Sequence, residues 1–256
     1  MLEGIDCASP PDVTAIVAAG KQFIIRYLAP IGDPRATSRA EIDSYLSSGL
    51  GVGFVYEETG LELTGGYAAG VRVATVAAVL RDSLSLPVDT VIYFTADTNV
   101  VGSVLLTCVD AIDGAASVLG FEQTGGYGSA AFIDAIAGHC KHAWQTYGWS
   151  NGRVSVNADI YQYLNGQTIG GHAVDYCKTL SDNTGLMMPD SERLDIMDSV
   201  ILMRNSGGTI YPTYLDNDIR VKGVPLTQTE WNNYWAANKW PYVNVTQATI
   251  DALPNR

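Results

Sequence analysis

The sequence is poor in charge, and poorest in positive charge. Only 16% of its 256 residues are Asp, Glu, Lys or Arg, and 15 Lys and Arg stand against 27 Asp and Glu. The formal net charge is -12. An acidic surface repels phosphate backbones, so no nucleic acid is expected as a partner. No Lys/Arg cluster offers a patch for a membrane surface. Long apolar runs are also missing. None approaches the roughly 18 residues that span a bilayer, so no membrane insertion is expected. The N-terminus lacks the basic region and apolar stretch of a signal peptide. Instead Gly4-Ile5-Asp6-Cys7 reads as a strand almost from the start. On that basis the protein is made in a cytoplasm, and any action outside it needs another route of delivery.

Cysteine and histidine are scarce and badly spaced for metal. Cys7, Cys108, Cys140 and Cys177 form no CxxC or zinc-ligand pattern and read as free, semi-buried thiols. Cys7 and Cys177 would be neighbours on the first and last strands of a closed barrel, but a reducing cytoplasm disfavours a disulfide. His139, His142 and His172 are scattered, with no HExxH or paired spacing, so core or surface places suit them better than ligation. No Gly-x-Ser-x-Gly elbow and no Cys-His nucleophile stand out. No glycine-rich phosphate fingerprint follows the first strand. Nothing here calls for a metal or an organic cofactor.

What is present is apolar material, 47% of the chain, in an alternating arrangement. Short apolar runs at 4–7, 22–27, 51–57, 90–96, 121–127, 141–146, 154–163 and 173–177 read as strands. Amphipathic stretches at 12–19, 38–48, 67–84, 101–119 and 129–138 read as helices. Ser38 with Glu41 three residues on makes a capping box, and Gly49 stops that helix. Repeated strand-helix alternation means parallel strands with helices outside. Eight strands in about 180 residues predict an α/β fold of the (β/α)8 TIM-type barrel kind, irregular in its second half where helices are short or missing. An open doubly wound sheet is the alternative. The predicted organisation is a barrel over 1–180, a linker over 181–198 and a small α+β accessory module over 199–256. The module is too small for a large core. It reads as strands at 200–205, 209–215 and 243–245, with helices at 227–237 and 246–253.

In such barrels the working residues lie at the C-terminal ends of the strands. Asp6 ends the first strand, Glu57 the third and Asp97 the fourth, and Asp175 lies in the last. Converging carboxyls suit glycoside cleavage. One stays protonated for the leaving oxygen, and another serves as nucleophile, base or stabiliser of an oxocarbenium-like transition state. Crowding splits their pKa values. Against this, a strand-end acid often caps a helix or pairs with a buried arginine. Arg26 suits either substrate binding or neutralisation of the acidic rim, the second being the more ordinary use. Tyr27, Tyr56, Tyr93, Tyr127 and Trp144 lie near strand ends and could stack on sugar rings, although aromatics also fill strand cores. Gln145 and Gln162 each sit beside an aromatic, where an amide would suit hydroxyl recognition. Thr-Gly-Gly-Tyr at 64–67 and again at 124–127 is expected to shape rim loops.

These pieces occur in a distinctive order: Gly4-Ile5-Asp6, Arg26-Tyr27-Leu28, Val55-Tyr56-Glu57, Gly65-Gly66 with Ala69-Gly70, Ile92 to Asp97, Gly126-Tyr127-Gly128, Trp144-Gln145-Thr146 and Val174-Asp175. The series resembles the glycoside-hydrolase-like barrel family of actinobacterial cell-wall proteins and their phages, which is similar to the family-25 muramidases. The resemblance covers about residues 3–178. It implies a β/α barrel with Asp6, Glu57 and Asp97 lining a glycan site and Asp175 as the acid of the last strand. There is one departure. Those muramidases carry Asp-x-Glu on the fourth strand, with the Glu as general acid, whereas this chain has Asp97-Thr98-Asn99. Asparagine cannot donate that proton, so either Glu57 supplies it or the site binds glycan without cutting it. The segment from Gly207 through Leu226 and the Trp-rich stretch after it resembles small modules of actinobacterial phage and surface proteins. This implies a lysin or a tail component whose module meets other virion tail proteins.

Three readings follow. The chain is a glycosidase acting on peptidoglycan or an associated wall polysaccharide, with Glu57 as acid/base and Asp97 and Asp6 as nucleophile or stabiliser. Or it is a tail protein that holds wall glycan through the same cleft. Or the barrel is decorative and the C-terminal module is a docking piece.

Overall fold

The computed structural model describes residues 1–30, 32–189 and 251, together with the backbone of four strands at 201–204, 210–216, 219–222 and 242–244. The chain divides into two compact units, Met1–Pro189 and Asp190–Arg256.

The first unit is a closed eight-stranded barrel. In chain order it runs β1 (Glu3–Asp6), α1 (Val13–Ala18), β2 (Phe23–Tyr27), α2 (Arg39–Ser47), β3 (Gly51–Tyr56), α3 (Gly66–Ser83) and β4 (Ile92–Thr95). There follow α4 (Gly102–Leu119), β5 (Thr124–Gly128), α5 (Ala130–Ala135), β6 (His142–Thr146), β7 (Ile160–Ile169) and β8 (His172–Thr179). Local chemistry sets several boundaries. The Ser38 hydroxyl accepts the Glu41 backbone N–H at 3.2 Å and caps α2, and Ser129 caps α5 by accepting from Phe132 N–H. Half of the expected capping box is realised. The Glu41 carboxylate is taken by Arg26 and by the Tyr45 hydroxyl.

Strands β1 to β7 pair in parallel, as the alternation predicts, but β8 runs antiparallel to both β7 and β1. The cause lies between β7 and β8. Gly170 and Gly171 have φ of +55° and +85°, which a two-residue hairpin turn with the right twist requires. No crossover helix fits in such a link, so β8 must reverse. Strand β7 also starts later than the expected 154–163 and continues to Ile169. Of the two Thr-Gly-Gly-Tyr segments, 124–127 is strand β5 itself and 64–67 leads into α3, so neither is a free rim loop.

Two apolar layers fill the unit. Ile5, Ile24, Phe54, Phe94, Ile112 and Phe132 belong to the larger one, between strands and helices. Phe23, Ile25, Val55, Tyr93, Trp144 and Cys177 belong to the other, inside the barrel. Alternate residues of each strand supply the two layers. All four cysteines are buried and free. Contrary to the expectation from sequence, Glu62–Ser83 and Gly102–Leu119 are long and apolar enough to cross a membrane by length and composition. In this barrel the helices within them, α3 and α4, pack against each other. A Cβ on Gly70 would collide with the Ala111 carbonyl oxygen, and one on Gly114 with that of Tyr67.

The stretch expected to begin a linker instead closes the bottom of the barrel. The Tyr93 hydroxyl donates to the Thr184 carbonyl at 2.7 Å, and Val52 and Met187 exchange two backbone hydrogen bonds of 2.8 Å. Leu186 packs on the inner layer. In the second unit the strands are β9 (Ile201–Arg204), β10 (Ile210–Asp216), β11 (Ile219–Lys222) and β12 (Tyr242–Asn244), in sheet order β11-β10-β9-β12. Strand β11 has no counterpart in the sequence reading. The expected helix at 227–237 lies outside the described residues, as does most of the one at 246–253.

Candidate functional site

A polar cavity of about 120 Å³ opens at the C-terminal end of the barrel's parallel strands. Four carboxyls line it: Asp6, Glu57, Asp97 and Asp175. Asp6 is the last residue of β1, and Glu57 directly follows β3. Asp97 follows β4 by two residues. Asp175 reaches the same place from the reversed strand β8, where it lies directly across from Asp6. The remaining wall includes Tyr27, Tyr127, Trp144 and Gln162, together with Thr95 and Asn165.

Strand alternation decides which of the candidates arrive. Tyr27, Tyr127, Trp144 and Gln162 share the inward phase with Asp6 and Glu57. Arg26, Tyr56 and Gln145 have the opposite phase and face away from the cavity, which corrects the expectation that they bind substrate. Arg26 is 1% exposed. It donates to Glu41 at 2.6 Å and to the carbonyls of Cys7, Ala8 and Arg35, tying β2 to α2 and to the loop after β1. The Tyr56 hydroxyl donates to Glu58 at 2.6 Å. The Gln145 amide holds the β6–β7 loop, donating to the Arg153 carbonyl and accepting from Ser155 N–H. Tyr93 points inward but lies one layer deeper, fully buried, with its hydroxyl on the bottom segment.

Two polar lining groups, Thr95 and Asn165, and one residue that pairs with a lining acid, Arg35, were absent from the sequence candidates. Thr95 shares the phase of Asp97 two residues earlier on β4, and that parity was legible. Asn165 follows irregularities in the pairing of β7 with β8, which the sequence pattern does not reveal. Arg35 comes from the loop before α2 and pairs with Asp33 at 3.0 Å and with Glu57 at 3.4 Å.

The electrostatics are those of crowded acids with little positive charge nearby. Burial pushes the Asp6 pKa up to about 7, and the Asp175 and Asp97 charges push the same way; hydrogen bonds from Gln162 and Cys177 oppose them. Burial also raises Glu57. The Asp97 charge adds to that, while the Thr95 hydroxyl and Arg35 pull it back. Asp97 reaches solvent, yet desolvation by the cavity wall still raises it, against the nearby Tyr127 hydroxyl. Asp175 is raised by burial and held back by the Gly166 N–H on its Oδ1 at 2.7 Å. Two polar atoms at the wall, Thr95 Oγ1 and Trp144 Nε1, are buried without a hydrogen bond of good geometry. A ligand hydroxyl could satisfy either one. Among the described residues no group of three or more His, Cys, Asp or Glu is arranged to hold a metal ion. The chemistry open to such a cavity is proton transfer and stabilisation of positive charge on a bound polyol.

Solved structures share this barrel. The Tat-secreted protein Rv2525c of Mycobacterium tuberculosis, in complex with L-tartrate, superposes with a TM-score of 0.67 at 24% identity, covering 72% of this chain and 98% of that one. An uncharacterized B. stearothermophilus protein matches with a TM-score of 0.54 at 16% identity, covering 72% and 99%. The modular autolysin LytC from Streptococcus pneumoniae, in complex with a synthetic peptidoglycan ligand, gives 0.51 at 15% identity over 69% of this chain and 46% of that one. At these identities the likeness is one of fold. Among curated proteins, none matches this chain. The family assignment rests on sequence: residues 14–184 match the model of the Rv2525c-like, glycoside hydrolase-like domain, and the chain belongs to that family.

Proposed function

We propose that this protein hydrolyses a bacterial cell-wall glycan, peptidoglycan or an associated polysaccharide, in the cavity at the top of its barrel. The observation that carries the proposal is the meeting of Asp6, Glu57, Asp97 and Asp175 with Tyr127, Trp144 and Gln162 in one small polar space. Glycoside cleavage asks for an acid and a base or nucleophile on either side of the bond, in surroundings that hold their pKa values apart. Here Asp6 is raised far more than the partly exposed carboxyls. The aromatic faces, and the Thr95 and Trp144 polar atoms that lack a hydrogen bond of good geometry, suit a sugar ring with its hydroxyls.

The wall as the source of the glycan is supported by LytC, a modular autolysin that was solved in complex with a synthetic peptidoglycan ligand and part of whose chain shares this barrel fold. Action outside the membrane is supported by the Tat-secreted neighbour. Delivery as a phage lysin or tail component rests only on the sequence resemblance of the segment after Gly207. A second reading, a barrel that grips wall glycan without cutting it, is favoured by Asn99. It stands where the muramidases carry their acid, and it does not line the cavity.

The test is reducing-sugar release from purified actinobacterial cell wall. The wild type should release sugar, and Glu57→Gln should lower the rate at least about a hundredfold. Retained wall binding without release from the wild type would establish the second reading instead.

A further inference from the structure

A glycosidase needs one carboxyl that carries a proton at rest, and three strands bring that condition about at one point. Asp6 and Asp175 are directly paired across the antiparallel β1–β8 ladder. Both face the side-chain amide of Gln162 on β7, which is 2% exposed. Gln162 Nε2 donates to Asp6 Oδ2 at 2.9 Å and to Asp175 Oδ2 at 3.3 Å. Its Oε1 accepts the Tyr127 hydroxyl at 2.9 Å. The orientation follows from the partners, because a flipped amide would turn its oxygen against two carboxyl oxygens.

No cation balances the pair. Arg35 is engaged by Asp33 and Glu57, and among the described residues no salt bridge reaches Asp6 or Asp175. One neutral amide cannot offset a buried and a half-buried negative charge paired this closely, so the two carboxyls retain a proton between them. Their surroundings decide where it rests. Asp6 is 6% exposed, and that burial outweighs the Gln162 amide and the Cys177 thiol at 3.2 Å, donors that favour its ionised form. Asp175 is half-buried and takes the Gly166 N–H, a bond that favours its ionised form.

We propose that Gln162 is a positioning residue that holds Asp6 and Asp175 as an acid pair with a single resting proton, carried by Asp6. The groups facing Asp6 are Gln162, Asp175 and Cys177, Tyr127 from β5, Tyr27 from β2, and Asp97 after β4. The direction of the Asp6 pKa agrees with this arrangement. The pair's part in turnover rests on the glycan-cleaving reading; its existence does not. In turnover the bridging oxygen takes the proton as its bond to the sugar carbon breaks. Water then adds its hydroxide to that carbon, and its remaining proton recharges the pair.

The test is a carboxyl-carbon NMR titration of the full chain labelled with 13C-aspartate, with the Asp6 signal assigned by its loss in Asp6→Asn. In the wild type Asp6 should titrate near 7. Asp175→Asn should lower its midpoint by about one pH unit, a tenfold loss of proton affinity, because a like charge is removed. Gln162→Leu should raise the midpoint by about as much, because the ionised form loses its donor. If Gln162→Leu does not fold, the half-exposed Asp175 position carries the test. An Asp6 midpoint in the ordinary range near 4, or one that both substitutions leave unmoved, overturns the pair. A shared proton in a protein that releases no sugar would leave the pair standing and remove the glycan-cleaving reading; sugar release with an ordinary Asp6 would do the reverse.

Discussion

Arg26 and Tyr27 are neighbours in the chain and have opposite fates. The tyrosine turns into the barrel and lines the cavity, while the arginine turns outward and holds three carbonyls and Glu41. Arg26→Ala should therefore cost about 3 kcal/mol in urea unfolding, since it leaves buried acceptors and a carboxylate without their partner. A stability change of a few tenths would contradict that role. Asp6 behaves in the opposite manner. Its pKa rises from 3.8 to about 7 on folding, so its contribution to stability is fully present below about 3.8 and is lost as pH climbs through 7. Asp6→Asn carries no such proton. Relative to the wild type it should gain stability between about pH 5 and about pH 8, on the order of 2 kcal/mol, as thermal melts at the two pH values would show. At this scale much was legible. Asp6, Glu57 and Asp97, which the rule that barrels work at their C-terminal rim singles out, do line one cavity, whereas Asp175 joins them from a strand whose reversal that rule does not foresee. Tyr56 and Gln145 stay outside the cavity because nearness to a strand end does not settle which face of the strand a side chain takes. Counting by twos from Asp6 and Glu57 separates them.

Strand β8 shows what element-level patterning can and cannot give. Strand-helix alternation correctly predicts a closed barrel with parallel strands through β7, and the later helices are indeed short or missing. The reversal of the last strand is written in two residues, Gly170 and Gly171, whose positive φ values make the hairpin. A periodicity scan gives two glycines no weight, although they settle the direction of the whole strand. Gly171→Val should strain that turn by about 1–2 kcal/mol. Because the turn sets how Asp175 meets Asp6, the loss of thermal stability should come with a disturbed Asp6 titration. An unchanged melting temperature would mean that the hairpin tolerates another turn. The apolar character of α3 and α4 has a local cause as well: close contact through Gly70 and Gly114 lets two hydrophobic helices cover the barrel as a pair.

On the scale of the whole chain, the barrel does not end where its last strand does. Residues 183–188 close its lower mouth through Thr184, Leu186 and Met187, and the first compact unit runs to Pro189. A polar loop of Ser, Asp, Asn and Gly looks like a linker in sequence, and only the partners it finds on Tyr93 and Val52 reveal it as part of the core. A chain cut after residue 189 should therefore melt as one cooperative unit, whereas one cut after residue 180 should melt several degrees lower, by calorimetry. Equal melting temperatures would show that the bottom segment adds nothing. The function proposed for the barrel is most directly tested by digesting purified wall in 18O-labelled water and weighing the released fragments by mass spectrometry. Hydrolysis of a glycosidic bond in the cavity predicts one heavy oxygen at each new reducing end, and none from Glu57→Gln. Fragments without the label, or none from a protein that still binds wall, would contradict a hydrolase.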